Sequence, residues 1–319
     1  MGTLNPLAAV SQPSTINSQP HLSPNQKAWR RFKGNRLAVV CGIVLAILVL
    51  IMLLWPMISP YKPNVLSDAQ FQPPSAQHWL GTDVHGRDLL SRIFYGARVS
   101  LLVGVVGASV SLIIGVLWGA VAGYVGGYWD SAMMRIVDIL YSLPSIVFVI
   151  VMITTLNGAL EKMQTKGLSA DWAKTAQFLC LFAGLGAVSW LTMARIVRGQ
   201  VLSLRTRNFV DASRALGAGH ARILLRHILP NVYGVIIVYL TLMVPSIILY
   251  ESFLSYLGLG IQPPQASLGS LIAEGAMNIN PIRVYWWLIV FPGGMLVSTL
   301  LALNFLGDGL RDAWDVRGN

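Results

Sequence analysis

The chain has 319 residues, of which 55% are hydrophobic and only 11% are charged. Soluble domains carry about 25% charged residues, so this composition excludes an ordinary soluble domain and indicates a polytopic membrane protein. The formal net charge is +10. The lysines and arginines nevertheless form no basic face with interleaved aromatic residues, so we expect no nucleic-acid partner.

The N-terminal segment changes character near residue 27. Residues 1–26 are rich in Ser, Pro, Gln and Asn, which predicts a disordered cytoplasmic tail. Basic residues stand directly before the first apolar run and place this end of the chain in the cytoplasm. That run is longer than the apolar core of a signal peptide, and no cleavage site follows it. We therefore predict a retained membrane anchor.

Six charge-free apolar runs are each long enough to cross a bilayer, at about 20 residues per spanning helix. They are too long and too uniformly apolar for the strands of a barrel. The predicted spans are Leu37–Tyr61, Val99–Trp129, Ile139–Leu160, Thr175–Ala194, Ile228–Tyr250 and Val284–Gly307. We therefore predict an all-α polytopic membrane protein with six transmembrane helices. Residues 99–307 form its core domain, the first span packs outside that core, and residues 308–319 are a cytoplasmic tail.

Residues 27–98 are predicted to comprise the first span and a periplasmic segment. From Asp88 onward, the apolar residues of that segment recur at helical spacing, which predicts an amphipathic helix on the outer surface. Arg87, Arg92 and Arg98 lie outside its apolar face. The possible metal ligands of the segment are His78, Asp83, His85 and Asp88. They lack the helical spacing of a ligand pair, so we expect no metal site.

The remaining loops and the two cysteines suggest little chemistry. A polar loop, Glu161–Lys174, joins spans three and four on the outer side, and a longer loop broken by Pro263-Pro264 joins spans five and six. Cys41 and Cys180 both fall in apolar runs, so we interpret them as small packing residues without a disulfide.

The sequence lacks the motifs that define several common functional classes. The sequence has no Gly-Lys pair and therefore no P-loop for ATP. It also lacks a G-x-S-x-G elbow, an H-E-x-x-H motif and paired intramembrane carboxylates, so we assign no catalytic residue. Proton-coupled carriers keep ionisable groups inside their spans. The absence of such groups from all six runs indicates that the energy for any transport enters elsewhere.

The polar segment Asn208–Asn231, within the loop at residues 200–231, separates two apolar runs. Asp211 lies near the start of a predicted short helix, where it offsets the positive end of the helix dipole. Small side chains follow it, Gly217 permits a sharp backbone turn, and Leu229-Pro230 marks the start of the next span. On the residues alone, the segment fits either a protein-docking loop or an ordinary solvated loop.

At these positions the sequence resembles the EAA signature of permease subunits of bacterial ABC importers. Its residues here are Asp211, Ala212, Ser213, Gly217, His227, Leu229 and Pro230, at the spacing of the signature. Asp replaces Glu, Ser replaces the second Ala, and His227 occupies an apolar position. The segments LGTDVHGRDLLSRIFYGARVSL, VSWLTMARIVRGQVLSL, ESFLSYLGLGIQPP and LNFLGDGLRDAWD look like the second permease subunit of oligopeptide and dipeptide importers. The resemblance covers nearly everything after residue 30.

The resemblance implies a type I ABC importer permease fold in the bacterial inner membrane, with no enzyme activity and no cofactor of its own. It also implies four kinds of protein and ligand partner: a homologous second permease, two cytoplasmic ATPase subunits that bind ATP and magnesium, an extracytoplasmic binding protein, and a peptide. The residues implied in coupling to the ATPases are Asp211, Ala212, Ser213, Leu216 and Gly217.

Several points stay open at this stage. Spans three to five are expected to line the pore, by resemblance. Glu251, just beyond the fifth run, is either a water-facing carboxylate at a helix end or a contact for the amino terminus of a peptide. Loop Glu161–Lys174 is longer than the family leads us to expect. The alternatives are the same scaffold importing nickel or murein peptides, a secondary transporter or channel, and a membrane enzyme. Peptide length and the identity of the partner chains are not determined.

Overall fold

A computed structural model describes residues 24–165, 170–261, 265–280 and 282–314, without the side chains of residues 24, 25, 164, 170, 171, 173–175 and 177–183. These parts of the chain are almost entirely helical, and their β-structure is one isolated bridge between Thr82 and Asp88. The helices are α1 Pro24–Gly34, α2 Arg36–Ile58, α3 Leu89–Val125, α4 Gly127–Ser142, α5 Ser145–Gln164, α6 Ala170–Leu204, α7 Asn208–Ala215, α8 His220–Ile223, α9 Leu229–Tyr256, α10 Leu268–Met277 and α11 Trp287–Trp314.

Five helical segments of the described chain are long and apolar enough to cross a membrane. They are Arg36–Ile58, Leu89–Val125, Ser145–Met163, His220–Tyr256 and Trp287–Trp314. The remaining predicted span, Thr175–Ala194, falls within α6, where many side chains lie outside the described residues. The all-α fold of membrane-spanning helices is therefore confirmed, whereas the count of six spans stays a prediction.

The predicted surface helix after Asp88 is wrong as a separate element, because α3 runs without a break from Leu89 to Val125. Asp88 caps the N-terminus of α3, its carboxylate accepting a hydrogen bond of 2.9 Å from the Ser91 backbone N–H. The apolar face of this first part packs on α10 and the loop before it, and Leu89 and Ile93 are 2% exposed. The helical pattern therefore reflects burial against protein rather than a helix lying on the membrane.

Helix α3 is the centre of the bundle, because it packs along α6 on one side and α9 on another. Small residues make the α6 contact close. A side chain at Gly119 would meet the Ala194 carbonyl and the Arg198 backbone nitrogen, and one at Gly115 would meet Met193. Lipid provides little hydrophobic force between helices, so close backbone approach of this kind is what holds such bundles together.

The third predicted span begins later than the apolar run suggested. Residues 139–142 end α4, Leu143 is extended, and α5 begins at Ser145. Pro144 explains the break, because the ring of a proline disfavours helical geometry in the residue before it. The predicted span Ile139–Leu160 therefore joined the end of α4 to most of α5.

Other predicted boundaries also shift. Helix α5 extends to Gln164 and α6 begins at Ala170, so most of the predicted loop at residues 161–174 is helical, while residues 166–169 lie outside the described residues. Residues 1–23 of the predicted tail lie outside them too, and α1 begins at Pro24. Residues 262–264, which include the predicted break at Pro263-Pro264, are likewise not described, and neither is the side chain of Cys180. Cys41 is partly buried and free.

Helix α2 packs on α11 and, less extensively, on α3, and α11 in turn packs on α9. In α2 the buried residues are Ala38 and Met52, and the remaining side chains of this helix are wholly or partly exposed. Such an apolar and exposed surface suits contact with lipid tails, which are as apolar as the side chains themselves.

Candidate functional site

The loop after α6 forms a compact structure with defined helices. Three residues separate helix α7 (Asn208–Ala215) from the end of α6. Helix α7 is followed by a turn at residues 216–219, by α8, and by a single π-helical turn, Leu224–Ile228, that leads into α9. Asp211 lies in the first turn of α7, as the sequence predicted. A short connection therefore joins the exposed polar helix α7 directly to a long spanning segment.

One side of α7 is anchored and the other is exposed. Val210 is fully buried in the hydrophobic core beneath the helix. Asp211 and Ala212 are exposed, Ser213 is half-buried, and the Leu216 side chain just beyond the helix is 88% exposed. An isolated exposed leucine is common, but this leucine ends a helix whose other side is held in the core by Val210. The arrangement presents an apolar tip beside small side chains.

The turn after α7 is a Schellman motif, the hydrogen-bonded helix ending that needs a left-handed residue. The Ala218 N–H donates to the Ser213 carbonyl at 3.1 Å, and the Gly217 N–H donates to the Arg214 carbonyl at 2.9 Å. Gly217 has a φ of 79°, which confirms the predicted sharp turn. Beyond its two chain neighbours, no atom of the described residues lies within 4 Å of the position that the Cβ of a Gly217 side chain would occupy. Backbone conformation, not crowding, therefore requires glycine there.

Pro230 lies at the start of α9, where the structure confirms the predicted beginning of the next helix. A proline cannot donate a backbone hydrogen bond, so the ladder before it must adjust. The Leu229 N–H donates to the Leu224 carbonyl, the five-residue spacing of a π-helix. His227, at the apolar position of the signature, lies in this turn, and its carbonyl accepts a 2.6 Å hydrogen bond from the Asn231 side chain.

Polar contacts tie the loop to the end of α3. The Arg205 guanidinium donates to the Gly123 and Tyr124 carbonyls at 3.2 and 3.4 Å, satisfying carbonyls that the last turn of a helix leaves free. The Tyr124 hydroxyl lies 2.9 Å from Nδ1 of His220, at the start of α8. Both arms of the loop, at Arg205 before α7 and at His220 after it, therefore contact the end of α3.

The exposed surface of the loop is mostly basic. Arg207, Arg214, Arg222 and Arg226 are exposed. Asp211 accepts a 3.1 Å hydrogen bond from Arg214, and both side chains of this pair are about half exposed, at 63% and 45%. A pair with that exposure contributes little to stability, because water screens it. The loop is thus charged without being held together by its own charges.

A cavity of about 420 Å³ lies between α4, α5, α6 and α9. Its wall is largely apolar, but it includes several hydroxyl groups. They belong to Tyr141, Ser145, Ser189, Thr192, Tyr239, Ser246 and Tyr250. The cavity is therefore lined by the helices that correspond to predicted spans three, four and five, the spans expected to surround a pore.

Glu251 follows Tyr250 in the chain but is not among the residues that line this cavity. Glu251 lies within α9 and its side chain is fully buried, so the interpretation as a water-facing carboxylate at a helix end is wrong. The Ser255 and Ser100 hydroxyls donate to its two oxygens at 2.6 and 2.9 Å, and Ser100 also accepts from the Leu268 N–H at the start of α10. Glu251 therefore joins α3, α9 and α10.

At the opposite end of the bundle lies a set of paired charges, here named the outer ion cluster: the buried Asp83, Arg87 and Arg92, and the partly exposed Glu274. The Asp83 carboxylate, 1% exposed, pairs with both arginines, and its contact with Arg87 is 2.7 Å. Glu274 on α10 accepts a bond of 2.7 Å from each arginine. Arg87 and Arg92 are therefore buried in ion pairs instead of lying on the water-facing side of a surface helix, whereas Arg98 is exposed.

Sequence reasoning missed the acidic partner in this cluster and the serines around Glu251. Glu274 lies 187 residues from Arg87, a distance that no local pattern reveals. A signal was nevertheless present, because Glu274 is the only acidic residue between positions 252 and 307. An isolated acid in so apolar a region is costly unless it has a partner. The partner could have been sought among the arginines with no assigned role.

Known families match the chain along most of its length. The profile described as "Binding-protein-dependent transport system inner membrane component" matches residues 115–317. The profile described as "N-terminal TM domain of oligopeptide transport permease C" matches residues 23–74. Together these matches include α1, α2, the loop at residues 200–231 and α11.

Similar proteins support the same family. The oligopeptide transport system permease protein OppC of Escherichia coli K12 is 47% identical over 293 residues, covering 91% of this chain and 90% of that protein. OppC of Salmonella typhimurium LT2 is 48% identical, with coverages of 91% and 90%. The dipeptide transport system permease protein DppC of Bacillus subtilis 168 is 43% identical, with coverages of 93% and 87%.

A solved structure shares the fold. The inward-facing MetNI methionine ABC transporter contains a chain that superimposes with a TM-score of 0.52 at 20% identity, covering 70% of this chain and 97% of that one. At such low identity the likeness speaks for the fold alone, which is that of an ABC importer permease. The profile match and the relatives establish that this chain belongs to the family of binding-protein-dependent transport system inner membrane components.

Proposed function

We propose that this chain is a transmembrane permease subunit of an ATP-driven importer that carries oligopeptides or dipeptides across the bacterial inner membrane. Its relatives named above are oligopeptide and dipeptide permeases, and they align over nine-tenths of the chain. In this proposal both termini and the loop at residues 200–231 lie in the cytoplasm. Basic residues before α2 and within the loop support that orientation.

The exposed tip formed by α7 and Leu216 carries this proposal. Two cytoplasmic ATPase subunits bind ATP and magnesium, and one of them holds Asp211, Ala212, Ser213, Leu216 and Gly217 in a groove. Small side chains on α7 let the helix enter a groove, and Leu216 supplies the apolar contact at its tip. The buried Val210 fixes the base of the helix, so a push on α7 is transmitted rather than absorbed.

The mechanism is alternating access, in which closure of the ATPases on ATP moves α7. The route into the membrane is short, because four residues separate α7 from α8 and a single π turn then leads to α9. The contacts of Arg205 and His220 with the end of α3 carry the same displacement to the centre of the bundle. The chain itself transmits force and catalyses no reaction.

The cavity between α4, α5, α6 and α9 supplies part of the substrate pathway in this proposal. A peptide of arbitrary sequence always presents backbone N–H and C=O groups, which tyrosine, serine and threonine hydroxyls can pair with. A homologous second permease completes the pore, and an extracytoplasmic binding protein delivers the peptide and sets most of the specificity. We assign Glu251 to the packing of α3, α9 and α10 instead of to the pathway.

Reconstitution tests the proposal directly. The chain is purified with the subunits that accompany it and placed in liposomes, and peptide uptake is measured with and without ATP and loaded binding protein. We expect ATP hydrolysis and uptake only when ATPase subunits are present and the binding protein is loaded. Uptake by the chain alone would show a secondary transporter or channel. ATP-dependent uptake of nickel or of murein peptides in place of other peptides would show the second cargo class.

A further inference from the structure

Helix α1 is basic and stands directly before the first spanning helix. Residues 24–36 contain Lys27, Arg30, Arg31, Lys33 and Arg36 and no acidic residue. Only one residue, Asn35, separates α1 from α2, and its side chain accepts a hydrogen bond of 3.2 Å from an N–H in the first turn of α2. Because so short a connection leaves no room for a spacer, α1 must lie at the surface of the bilayer that α2 crosses.

One face of α1 is held by protein. Ala28 is 4% exposed, and Phe32 lies against Gly309 near the end of α11. This packing fixes which side chains can point away from the bundle. A helix that is held on one face presents the opposite face in a defined orientation.

The opposite face carries a basic row of three exposed residues, Lys27, Arg30 and Lys33, spaced three apart. Lys27 and Arg30 make no ion pair with any acidic residue in the described parts of the chain. Trp29, 52% exposed, lies beside this row; its ring stacks on Phe32 at 5.5 Å, and Nζ of Lys33 is 5.5 Å from its centroid. Unpaired cations and a half-exposed tryptophan thus stand together at the membrane surface.

We propose that this face of α1 binds the headgroups of anionic phospholipids, with Trp29 inserted at the level of the headgroups. Tryptophan is enriched at that depth because its ring is amphipathic. Basic clusters next to a spanning helix attract anionic lipids, and each Lys or Arg contributes about 1 kcal/mol to this attraction. That free energy corresponds to about a fivefold increase in affinity for each basic residue. The inference rests on the insertion of α2 in a membrane and stands whether or not the proposed cargo is correct.

Native mass spectrometry of the purified complex tests this inference. The complex is exposed in detergent to phosphatidylglycerol or, separately, to phosphatidylcholine, and the fraction that retains each lipid is compared. In a variant with Lys27→Gln, Arg30→Gln and Lys33→Gln, we expect retention of phosphatidylglycerol to fall at least about tenfold, with retention of phosphatidylcholine unchanged. Lys27→Arg with Lys33→Arg keeps the charge and should keep the lipid.

A matched control removes exposed lysines elsewhere, with Lys62→Gln and Lys162→Gln, and should retain phosphatidylglycerol. If the triple variant fails to assemble, the unaltered complex still provides the test, because high salt should abolish its preference for phosphatidylglycerol. Equal retention by the triple variant, or a salt-insensitive preference, overturns the inference. So does loss of an accompanying subunit with the lipid still bound, since the face would then serve a protein.

Discussion

The two ends of the bundle both carry clustered charge, but they use it differently. In the outer ion cluster, Arg87 and Arg92 are buried and each pairs with both Asp83 and Glu274. In the loop at residues 200–231, four arginines are exposed, and Asp211 makes one solvated pair, with Arg214. The first set pairs its charges internally and links α3 to α10, although the buried Nε of Arg92 has no hydrogen-bond partner among the described residues. In the second set the charged groups are exposed to solvent and can contact another molecule, which is what a docking surface for another protein requires.

Breaking the outer ion cluster should have the largest effect. Arg92→Met leaves Asp83 buried with half of its positive partners removed, and losing one member of a buried pair costs about 3–5 kcal/mol. We expect a strongly lowered unfolding temperature of the purified chain, measured by scanning fluorimetry. Arg98→Met is the control, because Arg98 is an exposed arginine on the same helix. An Arg92 variant as stable as the Arg98 variant would show that the cluster does not fasten α3 to α10.

Filling the close contact between α3 and α6 should have a smaller effect. Gly119→Ala places a methyl group against the Ala194 carbonyl, and overpacking of this kind costs about 1–3 kcal/mol. Gly199→Ala on α6 is the matched control, because no atom lies within 4 Å of the added methyl group. We expect the control to be neutral or up to about 1 kcal/mol more stable, since alanine favours helix. Thermal unfolding of both variants checks the difference, and equal stabilities would contradict the packing argument.

Changing Gly217 should strain one turn while leaving the subunit in the membrane. Gly217→Val forces a branched side chain into left-handed backbone, at a cost of about 1–2 kcal/mol, and shifts the tip of α7. We expect normal membrane content and loss of ATP-driven peptide uptake. Gly219→Val is the control, because Gly219 has a φ of −68° and open space around it. Normal uptake by the Gly217 variant would remove the loop from the coupling mechanism.

Truncating Leu216 should barely affect stability. Its side chain is 88% exposed, so Leu216→Ala is expected to change the free energy of unfolding by less than about 0.5 kcal/mol. The same change should weaken retention of the ATPase subunits about tenfold, as expected for a side chain that fills a partner's pocket. Co-purification at increasing dilution measures this. Leu225→Ala, 62% exposed on the same loop, should leave retention unchanged. Equal losses in both variants would mean that Leu216 is not a specific contact.

The sequence allowed the spans and the loop to be predicted because both depend on local physics. Lipid forces an apolar run into a helix, and a glycine after a short helix favours the left-handed turn that Gly217 adopts. The outer ion cluster and the surroundings of Glu251 could not be predicted in the same way. Arg92 looked like a surface residue because Glu274, its partner, lies far away in the chain. Glu251 was open to a solvent-facing interpretation because it comes just beyond the fifth apolar run, where a helix was expected to end.

The π turn at Leu224–Ile228 has a consequence for protein engineering. A π turn holds about one residue more than a turn of α-helix. The side chains before the turn therefore point about 100° away from the directions that they would have if α9 continued backward as a regular α-helix. Deleting one residue from this turn would convert it to regular α-helix. The contacts of α9 would stay in place, and the Arg222 side chain, which lies before the turn, would point in a different direction around the helix axis. Ile223, directly before the turn, is fully buried in the same core as α9, so a deletion would also rotate this side chain out of its packing. The π turn therefore sets the register between the loop and the interior.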